Sequence, residues 1–327
     1  MDSNMKTSLI IGAGQLGSRH LQGLVKYLGQ LEIYVLDPSI DSLKIAQERE
    51  TEITHKHKIT YTESWETVPV FFDLVIVATN ANIRESVINK LLVHHKVRFL
   101  ILEKVLFQEL EAYQRVHDLL VKYNVITYVN HPRRMFESYI NIKVNIEINC
   151  QSIFNVVGGN WGLGCNTLHF LDLFVYLSGK KLLDININSI DDELLESSRK
   201  GFKEFSGTLT GHLIDGSFLS ITSLKGESSP ISVTIFNNEQ RFIIQEGGTP
   251  QTFVLEKTNL FNCKNDSFKV QYQSELTTNI AVGLLENDFC LLPTYDEARH
   301  THELFLTKML EKYNKITGLQ ATILPVT

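Results

Sequence analysis

One short segment constrains this chain more than any other: Gly12-Ala13-Gly14-Gln15-Leu16-Gly17, set directly after the apolar run Ser8–Ile11. The spacing GxGxxG alone is weak, because 19 glycines in 327 residues will sometimes fall that way by accident. Between a strand and a helical pattern it gains meaning. Gly12 permits a tight turn, Gly14 lets a pyrophosphate approach the backbone, and Gly17 allows the following helix to pack closely on the strand. The helix N-terminus adds free N–H groups and positive potential.

The surrounding residues repeat the same alternation. Short apolar runs at Ser8–Ile11, Glu32–Leu36, Ile59–Thr60, Leu74–Ala78, Phe99–Leu102 and Ile126–Val129 read as strands. Several are continuously apolar, as parallel strands covered on both faces require. Helical patterns lie between them at Arg19–Lys26, Ser42–Glu50, Arg84–His94 and Glu109–Tyr123. Residues 1–130 therefore read as a doubly wound α/β Rossmann domain.

The texture changes after Pro132. Asn141–Ile148 alternates polar and apolar residues, the mark of a half-wet strand, and Ser152–Val157, Gly207–Leu213, Ser217–Thr222, Ser232–Phe236, Arg241–Gln245, Thr252–Glu256 and Phe268–Tyr272 follow. Turn-forming clusters such as Asp215-Gly216, Asn237-Asn238 and Gly247-Gly248-Thr249-Pro250 separate them. Helical patterns appear near Asn166–Leu177 and Asp296–Thr317. Residues 131–327 are thus expected to form an α+β domain for substrate binding and oligomerisation, with a large, open, mainly antiparallel sheet. Its closing helix, about 296–317, is expected to pack back on the first domain.

Composition narrows the function classes. With 31 basic and 37 acidic side chains, net charge −6, the chain lacks the basic field of a nucleic-acid binder. No apolar run approaches the roughly 20 residues that span a bilayer. Met1–Lys6 is polar and has no apolar signal segment behind it. Cys150, Cys165, Cys263 and Cys290 show no CxxC spacing, so neither a disulfide framework nor a zinc site is expected. A cytoplasmic protein without nucleic-acid or membrane partners is the expectation. The pairs His55/His57, His94/His95 and His300/His302 are too close to share a helical face, and no metal is expected.

Ligands of an open parallel sheet lie beyond the carboxyl ends of its strands. Asp37 ends the second strand, 20 positions after Gly17. A carboxylate there can accept ribose hydroxyls and repel a 2′-phosphate, which favours NAD over NADP. Ala78-Thr79-Asn80, Glu103-Lys104 and Asn130-His131-Pro132-Arg133-Arg134 follow three later strands. Further on, a glycine-rich loop, Gly158–Gly164, runs into a helical segment carrying Asn166 and His169 on one face. A histidine side chain such as His169 can shuttle the proton of a hydroxyl or carbonyl, and a capping Asn166 beside a structural histidine is the competing reading.

In this order and spacing, Gly12–Gly17 with Ser18-Arg19-His20, Asp37, Ala78-Thr79-Asn80, Glu103-Lys104, Asn130 with Arg133, the glycine loop into His169, and Leu292–Ala298 resemble the glucose–fructose oxidoreductase / inositol dehydrogenase / MocA (Gfo/Idh/MocA) family. The resemblance covers nearly the whole chain. It implies an NAD(P)-dependent oxidoreductase acting on a CH–OH group of a sugar or sugar derivative, associating as a homodimer or homotetramer through the C-terminal sheet. Lys104 and His169 take the catalytic positions. Gly12, Gly14, Gln15, Leu16, Gly17, Asp37, Thr79, Asn80, Glu103 and Lys104 take the cofactor positions, and Asn130, Arg133, Asn166 and His169 face the substrate. Arg133 and Arg134 would suit an acidic or nucleotide-activated sugar. The chain departs from the family twice. Val105 stands where a proline usually supports the turn after the lysine, and Cys165 replaces a carboxylate four positions before the histidine. The second departure leaves open a non-catalytic dinucleotide-binding sensor or partner subunit; a third reading is an enzyme that recycles bound NAD, as an epimerase or glycosidase does.

Overall fold

The apolar runs of the first 130 residues line up as a six-stranded parallel sheet in the computed structural model, which describes residues 5–226 and 228–327. The strands are β1 (Lys6–Ile11), β2 (Leu31–Leu36), β3 (Lys58–Thr62), β4 (Phe71–Val77), β5 (Lys96–Leu102) and β6 (Ile126–Val129), in the spatial order β3-β2-β1-β4-β5-β6. Crossovers run through α1 (Gln15–Leu24), α2 (Ile40–Thr51), α3 (Ala81–His94) and α4 (Leu110–Tyr123). The strand order reverses between β1 and β4, so a crevice opens at their carboxyl ends. Leu9, Ile10, Leu74, Val75, Ile76, Leu100 and Ile101 are fully buried. Each such side chain stabilises the fold by about 1.5–3 kcal/mol, which is why these strands read as unbroken apolar runs.

The chain divides into two compact units. The first holds the residues up to Phe107 together with Glu111–Pro132 and Gln271–Asp296. The last of these segments contains a helix that the sequence reading leaves unassigned, α7 (Gln273–Asn287). Its buried stripe Leu276, Ile280, Leu284 packs toward α1. Contact is close because Gly23 lacks a side chain; a Cβ there would lie 2.5 Å from that of Thr277.

The second unit comprises Gln108–Leu110, Arg133–Val270 and Glu297–Thr327. It contains α5 (Glu137–Asn145), β7 (Ile153–Gly159), α6 (Leu163–Ser178), β8 (Leu182–Ile190), the short pair β9 (Leu195–Glu196) and β10 (Lys203–Glu204), and then β11 (Gly207–Leu213), β12 (Phe218–Leu224), β13 (Ser229–Phe236), β14 (Gln240–Gln245), β15 (Gln251–Glu256) and β16 (Cys263–Ser267). Helix α8 (Tyr295–Thr317) closes the chain. Eight strands form one mixed sheet, β16-β15-β14-β13-β7-β12-β11-β8, antiparallel except for the β7–β12 pair. Helix α6 lies on it, with Phe174 stacked 4.5 Å from Phe154 of β7. Along α8, Ala298, Phe305 and Met309 are buried.

Two strand assignments from the sequence are corrected. Asn141–Ile148 is helical through Asn145, in α5. Its alternation also fits a helix, since Tyr139, Ile142 and Ile146 fall at spacings of three and four and are buried, while Val144 is 77% exposed. Phe268–Tyr272 forms no strand; the ladder ends with β16, and Phe268 instead packs its ring edge-on against Tyr139. Strand β8 adds to the strands expected from the sequence, and its central residues, Asp184–Asn188, alternate polar and apolar side chains as a half-wet strand does. Among the described residues, no helix is long and apolar enough to cross a membrane.

Candidate active site

The glycine turn after β1 has three different environments. Gly12 adopts φ +94°, and a Cβ there would press at 3.1 Å on the backbone of Ala78 and Thr79. A Cβ on Gly17 would sit 1.8 Å from the Gly12 carbonyl oxygen. Gly14 is exposed, and a Cβ there would meet nothing within 4 Å. The first and third glycines thus let backbone seat on backbone, whereas the second faces open space. Gly14 is also the N-cap of α1, with no side-chain cap and no acidic residue in the first turn, where Gln15, Leu16 and Gly17 lie. Such an end keeps its N–H donors and positive potential for an anion. The Arg49 guanidinium braces the turn by donating to the Gln15 carbonyl at 3.1 Å and to Ser18 Oγ at 2.5 Å.

Asp37 stands at the end of β2 and accepts from the Ala13 N–H at 2.6 Å and the Ser39 N–H at 2.8 Å. Its carboxylate is therefore fixed beside the glycine turn with lone pairs to spare for hydroxyl donors. Replacing Asp37 with Ala should weaken NAD binding by about tenfold or more and narrow any preference over NADP. Calorimetric titration with both dinucleotides checks this; unchanged affinities would remove Asp37 from the ribose.

Three neighbouring strand ends carry the remaining groups of the first unit. Thr79 and Asn80 follow β4, with Asn80 as the N-cap of α3; Glu103 and Lys104 follow β5; Asn130 follows β6. Two residues outside the sequence-derived set hold these loops. Arg84, 1% exposed, donates to the carbonyls of Thr79, Val105 and Leu106, joining the loops after β4 and β5. His20 is fully buried and bridges Thr277 Oγ1 at 2.9 Å and Glu103 Oε1 at 2.8 Å. No sequence pattern pairs these positions; His20 and Glu103 are 83 residues apart. The Lys104–Val105 peptide bond is cis.

Asn130 donates Nδ2 to Glu103 Oε1 at 2.5 Å and to Gln273 Oε1 at 2.9 Å. Those two bonds fix its amide, and its buried Oδ1 has no hydrogen-bond partner among the described residues. The same holds for Thr79 Oγ1. Buried polar atoms are rarely left open, so the ligand edge of this sheet is short of partners. A nucleotide fits what is present: a bare helix end for phosphates, Asp37 for a ribose, and open polar atoms beyond β4 and β6.

Burial of Glu103 acts to raise its pKa, but hydrogen bonds from His20 and Asn130 and the charge of Arg84 outweigh it and hold the carboxyl below its ordinary range. A carboxyl lowered by folding contributes stability that is complete above its unfolded pKa and is lost as pH falls through the folded value. The protein should therefore lose stability on acidification below about pH 4.5, the ordinary value for this group. Glu103→Gln should give a shallower acid limb in thermal melts across pH, and an identical limb would refute the assignment.

The second unit carries the other sequence-derived residues. Gly162, at φ +80°, turns the chain into α6, on which Asn166 and His169 lie. Asn166 Nδ2 donates to the Trp161 carbonyl at 2.7 Å and so holds the glycine loop. The Cys165 thiol donates to the Thr327 carbonyl at 2.8 Å. Although Cys165 itself brings no charge, a carboxylate does arrive at this helix end from elsewhere: Glu204 of β10 accepts from the Gly164 N–H at 2.7 Å and the Cys165 N–H at 3.3 Å. Arg134 makes a two-bond pair with Asp172, both at 2.8 Å. Burial pushes the Asp172 carboxyl up to about 6 against the pull of that guanidinium. Arg133 stacks 4.1 Å over the Phe170 ring and pairs with Glu246, a partner 113 residues away to which no local pattern points. Among the described residues, no group of three or more His, Cys, Asp or Glu could hold a metal ion.

Residues 6–131 match the family model described as an oxidoreductase family with an NAD-binding Rossmann fold, Gfo/Idh/MocA. The first unit thus carries an NAD-binding Rossmann fold, in keeping with its glycine turn and strand order. Solved structures extend the likeness along the chain. UDP-N-acetylglucosamine 3-dehydrogenase from Acidithiobacillus ferrooxidans is 13% identical, with a TM-score of 0.70 over 92% of this chain and 95% of that one. An oxidoreductase from Agrobacterium radiobacter, solved with NAD+, L-tartaric acid and magnesium, is 13% identical with a TM-score of 0.73 over 95% and 97%. The transcriptional regulator Gal80p from Kluyveromyces lactis is 15% identical with a TM-score of 0.73 over 96% and 94%. At these identities the shared property is the fold. No curated protein matches the sequence.

Proposed function

We propose that the protein transfers a hydride between a nicotinamide dinucleotide, NAD in preference to NADP, and the CH–OH carbon of a sugar or sugar derivative. The observation that carries this reading is the contrast within the glycine turn: Gly12 and Gly17 are sealed against backbone while Gly14 opens onto space at an uncapped helix end. Gly14, Gln15, Leu16 and Gly17 would hold the phosphates, Asp37 a ribose, and Thr79, Asn80 and Glu103 the parts nearer the reacting ring. The bound dinucleotide supplies the hydride chemistry. Lys104 stabilises negative charge as it develops on the substrate oxygen, and His169 exchanges that oxygen's proton. Asn130 offers Oδ1 to a substrate hydroxyl, and Asn166 orients the loop before the helix. Near-ultraviolet absorbance of reduced nicotinamide, followed with NAD and a panel of sugars, tests the proposal.

A second reading rests on Cys165. Without a carboxylate at that position, a proton relay through it is lost, and a dinucleotide-binding sensor keeps every feature of the first unit. Gal80p, a transcriptional regulator on the same fold, supports this alternative. Tight NAD binding with no turnover on any sugar would select it.

We also propose that copies associate through the eight-stranded sheet as a dimer or tetramer. In support, its central strand β7 exposes Ile153 (48%) and Val157 (44%) at alternating positions. Val157→Lys should convert the assembly to monomers in light scattering; an unchanged mass would exclude this face.

A further inference from the structure

Three groups able to attract an anion lie on or against α6, the helix that carries His169, and each already meets a carboxylate of its own unit. Arg133 donates Nε to Glu246 Oε1 at 2.9 Å and Nη2 to Oε2 at 2.6 Å. The Tyr139 hydroxyl donates to the same Oε1 at 2.6 Å, so Glu246 is held from two sides. Its side chain is 8% exposed and that of Arg133 is 15% exposed. Arg134 is matched by Asp172 in the same two-bond manner. The positive end of α6 is met by Glu204.

We propose that Glu246 is a specificity-determining residue: by neutralising Arg133, it restricts the sugar handled at α6 to one without a carboxylate or phosphate where it meets that guanidinium. This rests on the oxidoreductase reading above and adds the charge of the substrate to it. An incoming carboxylate would gain little from a guanidinium whose charge is already matched, and it would lie against Glu246 with like sign. A hydroxyl meets neither penalty and can still accept from a paired guanidinium. The arginine pair at 133 and 134, which by sequence suits an acidic or nucleotide-activated sugar, thus becomes neutral ground once the chain is folded. The selecting residue stands 113 positions away in the loop after β14.

The test is a set of matched pairs, glucose with glucuronate and N-acetylglucosamine with its uronate, oxidised with NAD by the full-length protein. The wild type should favour the neutral member of each pair by about tenfold or more in kcat/KM. Glu246→Gln should move the uronate-to-neutral ratio about tenfold toward the uronate, and Glu246→Asp, which keeps the charge, should restore the wild-type ratio. Uronates turned over as well as their neutral partners by the wild type would overturn the proposal, as would a ratio that Glu246→Gln leaves in place. Should the Gln variant not fold, the wild-type comparison decides alone. NAD titration of the same preparation separates the two levels: binding of NAD with no response to any sugar refutes the oxidoreductase reading and this inference with it.

Discussion

Replacing Lys104 with methionine should lower kcat by about 10²–10⁴-fold while leaving the affinity for NAD within about threefold of wild type. Methionine keeps much of the lysine's apolar stem and removes the ammonium. If that charge acts on the substrate oxygen as it becomes negative, its loss falls on the transition state and little on cofactor binding. The loop itself should survive the change. It is held by Arg84 through the carbonyls of Val105 and Leu106, and by the neighbouring Glu103 through His20 and Asn130. Parallel measurement of sugar-dependent NAD reduction and of NAD binding by calorimetry decides the matter. An equal loss of both would make Lys104 a structural residue and remove it from the chemistry.

Gly17→Ala and Gly14→Ala should separate stability from binding. At position 17 the new methyl would collide with the Gly12 carbonyl at 1.8 Å, and the obstacle is backbone, so the helix or the turn must move. A cost of about 3 kcal/mol is expected, seen as a fall of several degrees in Tm, with NAD binding reduced about 100-fold or more because the turn loses its shape. At position 14 the methyl would enter open space, and the backbone there, at φ −61° and ψ −163°, suits alanine. Stability should hold or rise by about 0.4–1 kcal/mol, through a more restricted unfolded chain. Affinity for NAD should nevertheless fall, since the methyl occupies the approach to the helix end. Full NAD binding by Gly14→Ala would contradict a pyrophosphate at this turn.

Much of the first unit was legible because its signals are local. Each of β1, β4 and β5 is an apolar run, and the glycine spacing marks where strand becomes helix. Strand ends then fixed the positions of Asp37, Thr79, Lys104 and Asn130 without knowledge of any contact. The second unit was harder to read, because a half-wet strand and a short helix can carry the same residues. In Asn141–Ile148 the helix prevailed because Ile142 and Ile146 share one buried face with Tyr139. In α7 a stripe of leucine and isoleucine was present in the sequence, yet its partner α1 lies some 250 residues earlier, so nothing nearby announced what the stripe would cover.

The dinucleotide-type sheet, the turn at Gly12–Gly17 and the chemical kind of residue offered at each strand end are written in the order of the residues, since these follow from periodicity and from the backbone freedom of glycine. Which charges remain available is settled by folding. Whether Arg133 attracts an anion depends on Glu246, whether the end of α6 stays positive depends on Glu204, and whether Glu103 is held ionised depends on His20. Coulomb and hydrogen-bond energies fall steeply with distance in space and are indifferent to distance along the chain, so no local pattern could reveal those pairings.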